Sequence, residues 1–129
     1  MFVFPVRVYI EDTDLGGIVY YVNYLKFLER ARTEFLRHRV LEQHALQQQG
    51  YIFVVKQLQC DYKIPAELDD LLQVSVEVAK LGSASVTFEQ QVLRGEDVLS
   101  RACVEVVCVD AHTKRPRRFP SQIKQIFSA

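Results

Sequence analysis

The chain has 129 residues, a length typical of one globular domain, so we predict a single domain over residues 1–129. Sixteen basic side chains balance sixteen acidic ones. A net charge of zero excludes the strong positive field of proteins that bind nucleic acid or anionic membrane surfaces. The sequence contains no apolar run of about 20 residues that could span a bilayer and begins without the pattern of a signal peptide. We therefore expect a soluble, cytoplasmic protein.

The first half of the chain is predicted to contain one strand and one long helix. Apolar and polar residues alternate over residues 6–10, which predicts a half-buried strand. Over residues 23 to about 40, apolar side chains recur at intervals of three and four, the spacing of an amphipathic helix. A shorter helical segment is predicted over residues 41–49, with Gly50 as its C-terminal stop.

The second half is predicted to be a set of strands. Alternation of apolar and polar residues indicates four of them, over residues 54–64, 72–78, 86–92 and 102–108. In the first of these strands, the residues at even-numbered positions, Val54 and Leu58 through Ile64, are predicted to form the buried face. Short turns between strands imply antiparallel neighbours. A last helical turn is predicted after Pro120, with Ser121 as its N-cap. The predicted fold class is α+β, a five-stranded antiparallel sheet facing one long helix.

Thiols and charged helix residues are predicted to be structural. The three cysteines fall inside predicted strands, where reduced buried thiols are expected: Cys60, Cys103 and Cys108. The histidines are scattered without ligand spacing, so no metal site is predicted. Three charged residues of the helix are expected to form surface or interface ion pairs: Glu29, Arg32 and Glu34.

The densest cluster of chemically active side chains is the segment EDTDLGG, residues 11–17. One interpretation is an ordinary acidic turn, in which glycine supplies a positive φ and aspartate bonds the local backbone. A calcium loop is a second interpretation, but it fails where Gly16 and Asn23 stand in place of required ligands. The third is catalytic: Asp14 precedes the open N-terminus of a helix, whose N–H groups and positive dipole end face the same region.

A carboxylate beside free N–H donors is suited to acyl transfer. The donors polarise a thioester carbonyl while the carboxylate attacks it or deprotonates a water molecule. Gly16 and Gly17 let an acyl group approach the backbone without meeting a Cβ atom. A serine hydrolase is not supported, because the sequence has no G-x-S-x-G motif.

A longer segment, VYIEDTDLGGIVYYVNYLKFLERARTEFLR, resembles the signature of the 4-hydroxybenzoyl-CoA thioesterase family. The closest resemblance is to its YbgC-like acyl-CoA thioesterases, which are associated with the Tol-Pal system of Gram-negative bacteria. Similarity continues through FVVKQLQCDYKIPAELDD and VEVVCVD. The resemblance implies a hot-dog fold, a sheet wrapped around one helix, and a homodimer or homotetramer whose subunits share active sites. It also implies hydrolysis of acyl-CoA with no cofactor, coenzyme A being part of the substrate.

The resemblance also assigns residues to roles. Asp14 takes the position of the catalytic aspartate, as nucleophile or general base, and the backbone N–H of Tyr21 takes that of the carbonyl-polarising donor. Many relatives have histidine at the Tyr21 position, so this chain departs from them. Tyr20 is expected to help shape the acyl pocket. Asp12 and Asn23 are expected to support the site, Asp12 by orienting Asp14 and Asn23 by capping the helix.

A second candidate site is the basic cluster formed by Lys114, Arg115, Arg117 and Arg118. Such a cluster is commonly a solvated loop. Coenzyme A, however, carries a pyrophosphate and a 3′-phosphate, which arginine binds in a bidentate manner. We predict that Arg117 and Arg118 bind these phosphates, joined by Lys80 and Ser83 at the turn after the third strand.

Two other functions remain open at this stage. One is a non-catalytic scaffold that binds an acyl group or acyl carrier protein near the cell-envelope machinery. The retention of Asp14 at a helix start favours an enzyme, since a binding protein has no need of an acid there. The other is a hot-dog dehydratase, whose chemistry requires a histidine that the segment EDTDLGG lacks.

Overall fold

The computed structural model describes residues 1–39 and 43–128, with the backbone alone at positions 43 and 44. The strands form a single antiparallel sheet of order β1-β3-β4-β5-β2. Their bounds are β1 Phe2–Arg7, β2 Tyr51–Tyr62, β3 Leu71–Leu81, β4 Ser85–Arg94 and β5 Asp97–Asp110. No described helix is long and apolar enough to cross a membrane.

One long helix, α1 (Tyr21–His38), packs on one face of this sheet. The spacing of three and four brings Tyr24, Phe27, Leu28 and Phe35 to the side that faces the strands, and all four are buried. Burying each large apolar side chain contributes about 1.5–3 kcal/mol. A five-stranded antiparallel sheet around one such helix is the hot-dog fold, so the predicted fold class is confirmed.

The first strand ends earlier than its alternating pattern predicts. Residues Ile10–Asp12 form a 3-10 turn, and Ile10 is exposed. The backbone N–H of Tyr9 donates to the Asp12 carboxylate at 2.9 Å. This local hydrogen bond bends the chain out of the sheet after Val8, so the prediction of a strand through Ile10 is wrong.

The helical predictions differ from the structure mainly at their ends. Helix α1 begins two residues before the predicted start at Asn23, and the predicted end near Val40 lies outside the described residues. Helix α2 (Gln43–Gln48) confirms the second segment, except that residues 41 and 42 are not described. Gly50 has φ +89°, as expected for a helical stop.

Strand β2 forms one edge of the sheet and is less buried than predicted. Its pairing with β5 shifts between Val55 and Gln57. Because this bulge adds a residue to one strand, Phe53 and Val55 lie on the helix side together with Leu58. The prediction that alternate residues over 54–64 form one buried face is therefore wrong. Val55, which lies at the edge of the sheet, is 51% exposed.

The C-terminal segment is a helix, α3 (Ser121–Ser128), longer than the predicted single turn. Ser121 is its first residue rather than its N-cap. Ile123 and Phe127 are buried, and the Phe127 ring contacts the ring of Phe88 at 5.9 Å between centroids. The helix therefore extends the core at the end of the sheet remote from the N-terminus of α1.

The cysteines are not uniformly buried. Cys108 is buried and Cys60 is partly buried, but Cys103 is exposed. Cys103 lies two residues after the exposed Arg101 on β5, so both are on the sheet face turned away from α1. The prediction of a buried thiol is therefore wrong for Cys103.

Candidate active site

Asp14 stands at the base of a tight turn between β1 and α1. Its N–H donates to the carbonyl of Ile18 at 2.9 Å, and its carbonyl accepts from the N–H of Gly17 at 3.1 Å. An isolated bridge between Thr13 and Val19 closes the turn. Gly17 has φ +77°, which explains the glycine there.

The Asp14 carboxylate has one bonded and one open oxygen. Oδ1 accepts a hydrogen bond from the N–H of Gly16 at 2.9 Å. A Cβ atom at Gly16 would lie 3.3 Å from this same oxygen, so glycine allows the carboxylate to lie against the backbone. The side chain is exposed, and among the described residues no donor bonds Oδ2. The turn thus orients the carboxylate and leaves one oxygen free to react.

The start of α1 is uncapped. Tyr20, with φ −61° and ψ 128°, is the residue before the helix, and its side chain makes no capping hydrogen bond. First-turn N–H groups have no intrahelical acceptor. The N–H groups of Tyr21 and Val22 are therefore available to a ligand at the positive end of the helix dipole.

The carbonyl of Asp12 ties this helix start to the aspartate turn. It accepts from the N–H of Tyr20 at 3.0 Å and from Nδ2 of Asn23 at 2.9 Å. Asn23 therefore holds the loop instead of capping the helix, contrary to prediction. The carboxylate of Asp12 bonds Tyr9 rather than orienting Asp14, so that expectation is also wrong.

Ala66 in the loop before β3 supports the turn from the other side, a contact that the sequence analysis missed. Its carbonyl accepts from the N–H of Val19 at 2.8 Å, and its N–H donates to the hydroxyl oxygen of Tyr24 at 2.9 Å. Burial raises the pKa of Tyr24, so its phenol stays protonated at neutral pH. The buried Tyr24 thereby links α1, this loop and the turn.

Aromatic rings surround the start of α1. The Tyr21 ring lies 5.1 Å from that of Tyr20 and 5.9 Å from that of Tyr62, at the end of β2. Burial, with a hydrogen bond to Cys60, raises the pKa of Tyr62 to about 12. Leu15, next to Asp14, is fully exposed. Leu15 and these rings therefore give the turn and the start of α1 exposed apolar surface.

The residues predicted to bind phosphate fall into two separate places. Ser83 and Arg118 line one open cavity of about 680 Å³, together with Lys124 of α3, which the sequence analysis missed. Lys80 lies on the outer face of the sheet, in a different cleft beside Glu105. The structure thus places Ser83 and Arg118 in the same cavity and Lys80 in a different one.

Arg117 already has partners within the chain. Its Nη1 donates to the carbonyl of Gly50 at 3.2 Å and lies 3.6 Å from the Asp110 carboxylate. Its guanidinium also stacks 3.9 Å above the ring of Tyr51. Arg118 is exposed. Of the two arginines, Arg118 is therefore the freer to bind a ligand.

The aspartate turn and the Arg118 cavity lie at opposite ends of one chain. Tyr62, at one end of β2, contacts Tyr21 beside the turn, whereas Tyr51, at the other end, contacts Arg117. Tyr51 and Tyr62 are the first and last of the twelve residues of β2, so at roughly 3.3 Å per residue they lie about 36 Å apart. Residues 1–39 and 45–128, whose side chains are described, contain no group of three or more potential metal ligands.

A hot-dog sheet with a carboxylate at an uncapped helix start defines a thioesterase-like protein, and comparisons with known proteins agree. The Thioesterase-like superfamily matches residues 8–127. The acyl-CoA thioesterase YbgC of Haemophilus influenzae is 50% identical over 127 residues, 98% of this chain and 93% of the relative. The acyl-CoA thioester hydrolase YbgC of Escherichia coli is 44% identical over 124 residues, 95% and 92% of the two chains.

Among solved structures, a probable thioesterase from Bartonella henselae has 36% identity and a TM-score of 0.86, over 92% of this chain and 98% of that one. The present chain therefore belongs to the thioesterase-like superfamily. The predicted relationship to YbgC-like proteins is confirmed.

Proposed function

We propose that this protein is an acyl-CoA thioesterase, which hydrolyses acyl-CoA to a free acid and coenzyme A. The observation that carries the proposal is the open oxygen of Asp14, in a turn that the Asp12 carbonyl ties to the uncapped start of α1. Similarity to proteins named acyl-CoA thioesterases supports it.

In the proposed reaction, the N–H of Tyr21 donates to the thioester carbonyl and stabilises the oxyanion that forms. Asp14 Oδ2 either takes a proton from water, whose oxygen attacks the carbonyl carbon, or attacks that carbon itself. In both routes a C–O bond forms and the C–S bond breaks. The thiolate of coenzyme A leaves and is protonated. In the first route the attacking water supplies the second oxygen of the acid directly; in the second, water cleaves the acyl–Asp14 anhydride, which releases the acid and restores the carboxylate. Gly16 and Gly17 leave room for the acyl group, and Tyr20 forms part of its binding surface.

The function can be tested with purified protein that has been treated exhaustively with EDTA. Since Asp14 and the helix start supply the chemistry, we expect equimolar release of free acid and coenzyme A at the untreated rate. Activity that is lost on chelation and restored by a divalent cation would contradict the cofactor-free proposal. Binding of acyl-CoA without release of either product would contradict hydrolysis.

We also propose a homodimer joined through the β2 edge. Edge strands offer unpaired backbone groups, and β2 carries exposed valines, Val54 and Val55. Antiparallel pairing of β2 with its copy would bring the Tyr51 end of one chain beside the Tyr62 end of the other. The Arg118 cavity of one copy would then lie near Asp14 of the second. The two sites could thus act on one substrate although they lie far apart within a single chain. The proposal also includes a homotetramer, formed by two such dimers.

Phosphate recognition by Arg118 predicts a selective effect on substrate affinity. Arg118→Ala should raise KM for acyl-CoA several-fold and leave kcat unchanged, because the lost contact is remote from the reacting carbonyl. The same variant should act normally on an acyl N-acetylcysteamine thioester, which has no phosphates. Arg115→Ala, which removes an exposed arginine of the same cluster outside the cavity, is the matched control. An unchanged KM in Arg118→Ala would show that Arg118 does not bind the phosphates and is a solvated loop residue.

The proposed dimer predicts complementation between two defective chains. A heterodimer of Asp14→Asn and Arg118→Ala chains would contain one site with both defects and one with neither. At acyl-CoA concentrations below KM, mixing the variants should therefore restore activity beyond the sum of the two homodimers. Simple additivity, or an active monomer by light scattering, would contradict the shared site.

Other parts of the proposal come from the family resemblance alone. They are a cytoplasmic location, acyl carrier protein as an additional partner, and association with the Tol-Pal machinery. Phosphate contacts by Arg117, Lys80 and Ser83 likewise stay predictions.

A further inference from the structure

A buried arginine on α1 is not explained by the reaction described above. Arg32 is only 9% exposed and lies on the side of the helix that faces the sheet. The expectation of a surface ion pair is therefore wrong for Arg32, whereas it is confirmed for Glu34, which pairs with Arg37. Arginine stays protonated in proteins, and a buried charge is costly unless it is paired. Arg32 thus carries a charge for which the fold must provide a partner.

The hydrogen-bond partner of Arg32 within the chain is neutral. Burial lowers the pKa of Arg32, and the negative charge of Glu29, one helical turn away, opposes that shift. Arg32 Nη1 donates to Oε1 of Gln90 on β4 at 2.9 Å, and Gln90 is itself fixed by a bond from Nε2 to the carbonyl of Leu28 at 3.0 Å. Among the described residues, no carboxylate lies within 4.0 Å of the guanidinium, and its other N–H groups donate no hydrogen bond. Gln90 therefore holds the guanidinium in place. In the described part of the chain no fully buried side-chain nitrogen lacks a partner, so the guanidinium donors that make no hydrogen bond are open to solvent.

Arg32 also lines a small cavity of about 60 Å³ between α1 and the β2 edge. The cavity walls are mainly apolar: Leu36, Phe53, Val55, Phe88 and Val106. Glu29, one helical turn before Arg32, is exposed and lines the same cavity. The cavity is therefore an apolar recess with one fixed cation inside and one exposed carboxylate nearby.

In the proposed dimer, the recess of one chain would lie close to the reacting site of the second copy. Phe53 and Val55 lie near the Tyr51 end of β2, which pairing of the edges would bring toward Tyr62 and the aspartate turn of the partner. An acyl group attached to coenzyme A at one Asp14 could then extend into the recess of the other chain. This step rests on the proposed function and dimer.

We propose that the recess is a subsite for a carboxylate at the distal end of the acyl group, and that Arg32 binds it. Guanidinium and carboxylate form paired, charge-assisted hydrogen bonds whose geometry matches. The apolar walls accept the methylene groups between the two ends of the acyl chain. The preferred substrates are thus ω-carboxyacyl thioesters of coenzyme A, and Glu29 weakens their binding by repulsion.

The test compares kcat/KM for two matched pairs, adipyl-CoA with hexanoyl-CoA and glutaryl-CoA with pentanoyl-CoA, after subtraction of hydrolysis without enzyme. Wild-type protein should favour the carboxylated member of at least one pair. Arg32→Gln should lower that preference by about 10- to 100-fold, since hydrogen bonds to charged groups contribute about 1.5–3 kcal/mol. Glu29→Gln should raise the preference, because it removes a nearby negative charge.

Arg32→Lys separates charge from geometry. It keeps the cation but loses the planar pair of donors, so its preference should fall between those of wild type and Arg32→Gln. Thermal unfolding of each variant establishes that the chain is folded, and the rate on the uncarboxylated member reports its basal activity. A preference that is absent in wild type, or unchanged in Arg32→Gln and Glu29→Gln, overturns the inference while hydrolysis itself persists. If no member of either pair is hydrolysed but another acyl-CoA thioester is, the inference also fails; if no acyl-CoA thioester is hydrolysed, the proposed function fails instead.

Discussion

Replacing Asp14 by asparagine should lower kcat by about 10²- to 10⁴-fold, the usual contribution of a general acid or base. Asparagine Oδ1 can still accept from the N–H of Gly16, so the turn and the fold should survive. What is lost is the negative charge on the open oxygen, and with it the ability to attack or to take a proton. Thiol release from acyl-CoA under saturating substrate measures the effect.

Asp12→Asn is the matched control, two residues away and identical in chemistry. The Asp12 carboxylate only accepts from the N–H of Tyr9, which an amide oxygen also does. Its kcat should therefore stay within a few-fold of wild type. If Asp14→Asn is folded and turns over at the wild-type rate, the assignment of Asp14 is wrong. Equal losses in both variants would show that the turn as a whole, and not one carboxylate, matters.

Tyr21→Pro should lower kcat by about 10²- to 10³-fold, the effect of removing one oxyanion donor. The structure makes this backbone test possible, because Tyr21 is the first residue of α1 and proline is well tolerated there. Tyr20 already has the extended conformation that a residue before proline adopts. The substitution thus removes one N–H with little expected disturbance of the helix.

Tyr21→Ala and Tyr21→His keep the N–H and change the side chain. If only the backbone donates, alanine should retain most of kcat, and histidine should not raise it greatly. Circular dichroism and thermal unfolding monitor the helix in all three variants. A proline variant as active as the alanine variant would rule out the Tyr21 N–H as the donor. A histidine variant with much higher activity would indicate that the side chain takes part.

Much of this architecture could be predicted because local patterns dominate it. The spacing of Tyr24, Leu28, Ala31 and Phe35 identified the helix that the sheet surrounds. The sequence EDTDLGG identified the turn, in which Gly17 has a positive φ that favours glycine and a Cβ atom at Gly16 would lie 3.3 Å from Asp14 Oδ1. Such features depend on residues that are close together in the sequence, so a single sequence is sufficient to predict them.

Features that depend on distant residues were missed or misplaced. The bulge near Val55 reverses the faces of β2, and alternation cannot reveal an inserted residue. Ala66 supports the turn through backbone groups, which leave no signal in side-chain pattern. Arg32 looked like a surface charge because its partner, Gln90, is 58 residues away on β4. The strand order, which puts β2 at the edge, likewise follows from tertiary pairing.

The central claim is that this chain hydrolyses acyl-CoA thioesters, and thiol release across a panel from acetyl-CoA to palmitoyl-CoA tests it most directly. The panel should also include the carboxylated substrates discussed above. We expect at least one member to be turned over many times per chain, at a rate proportional to protein concentration and equal to the rate of acid formation. Binding of panel members without thiol release from any of them would contradict the account and favour an acyl-binding scaffold.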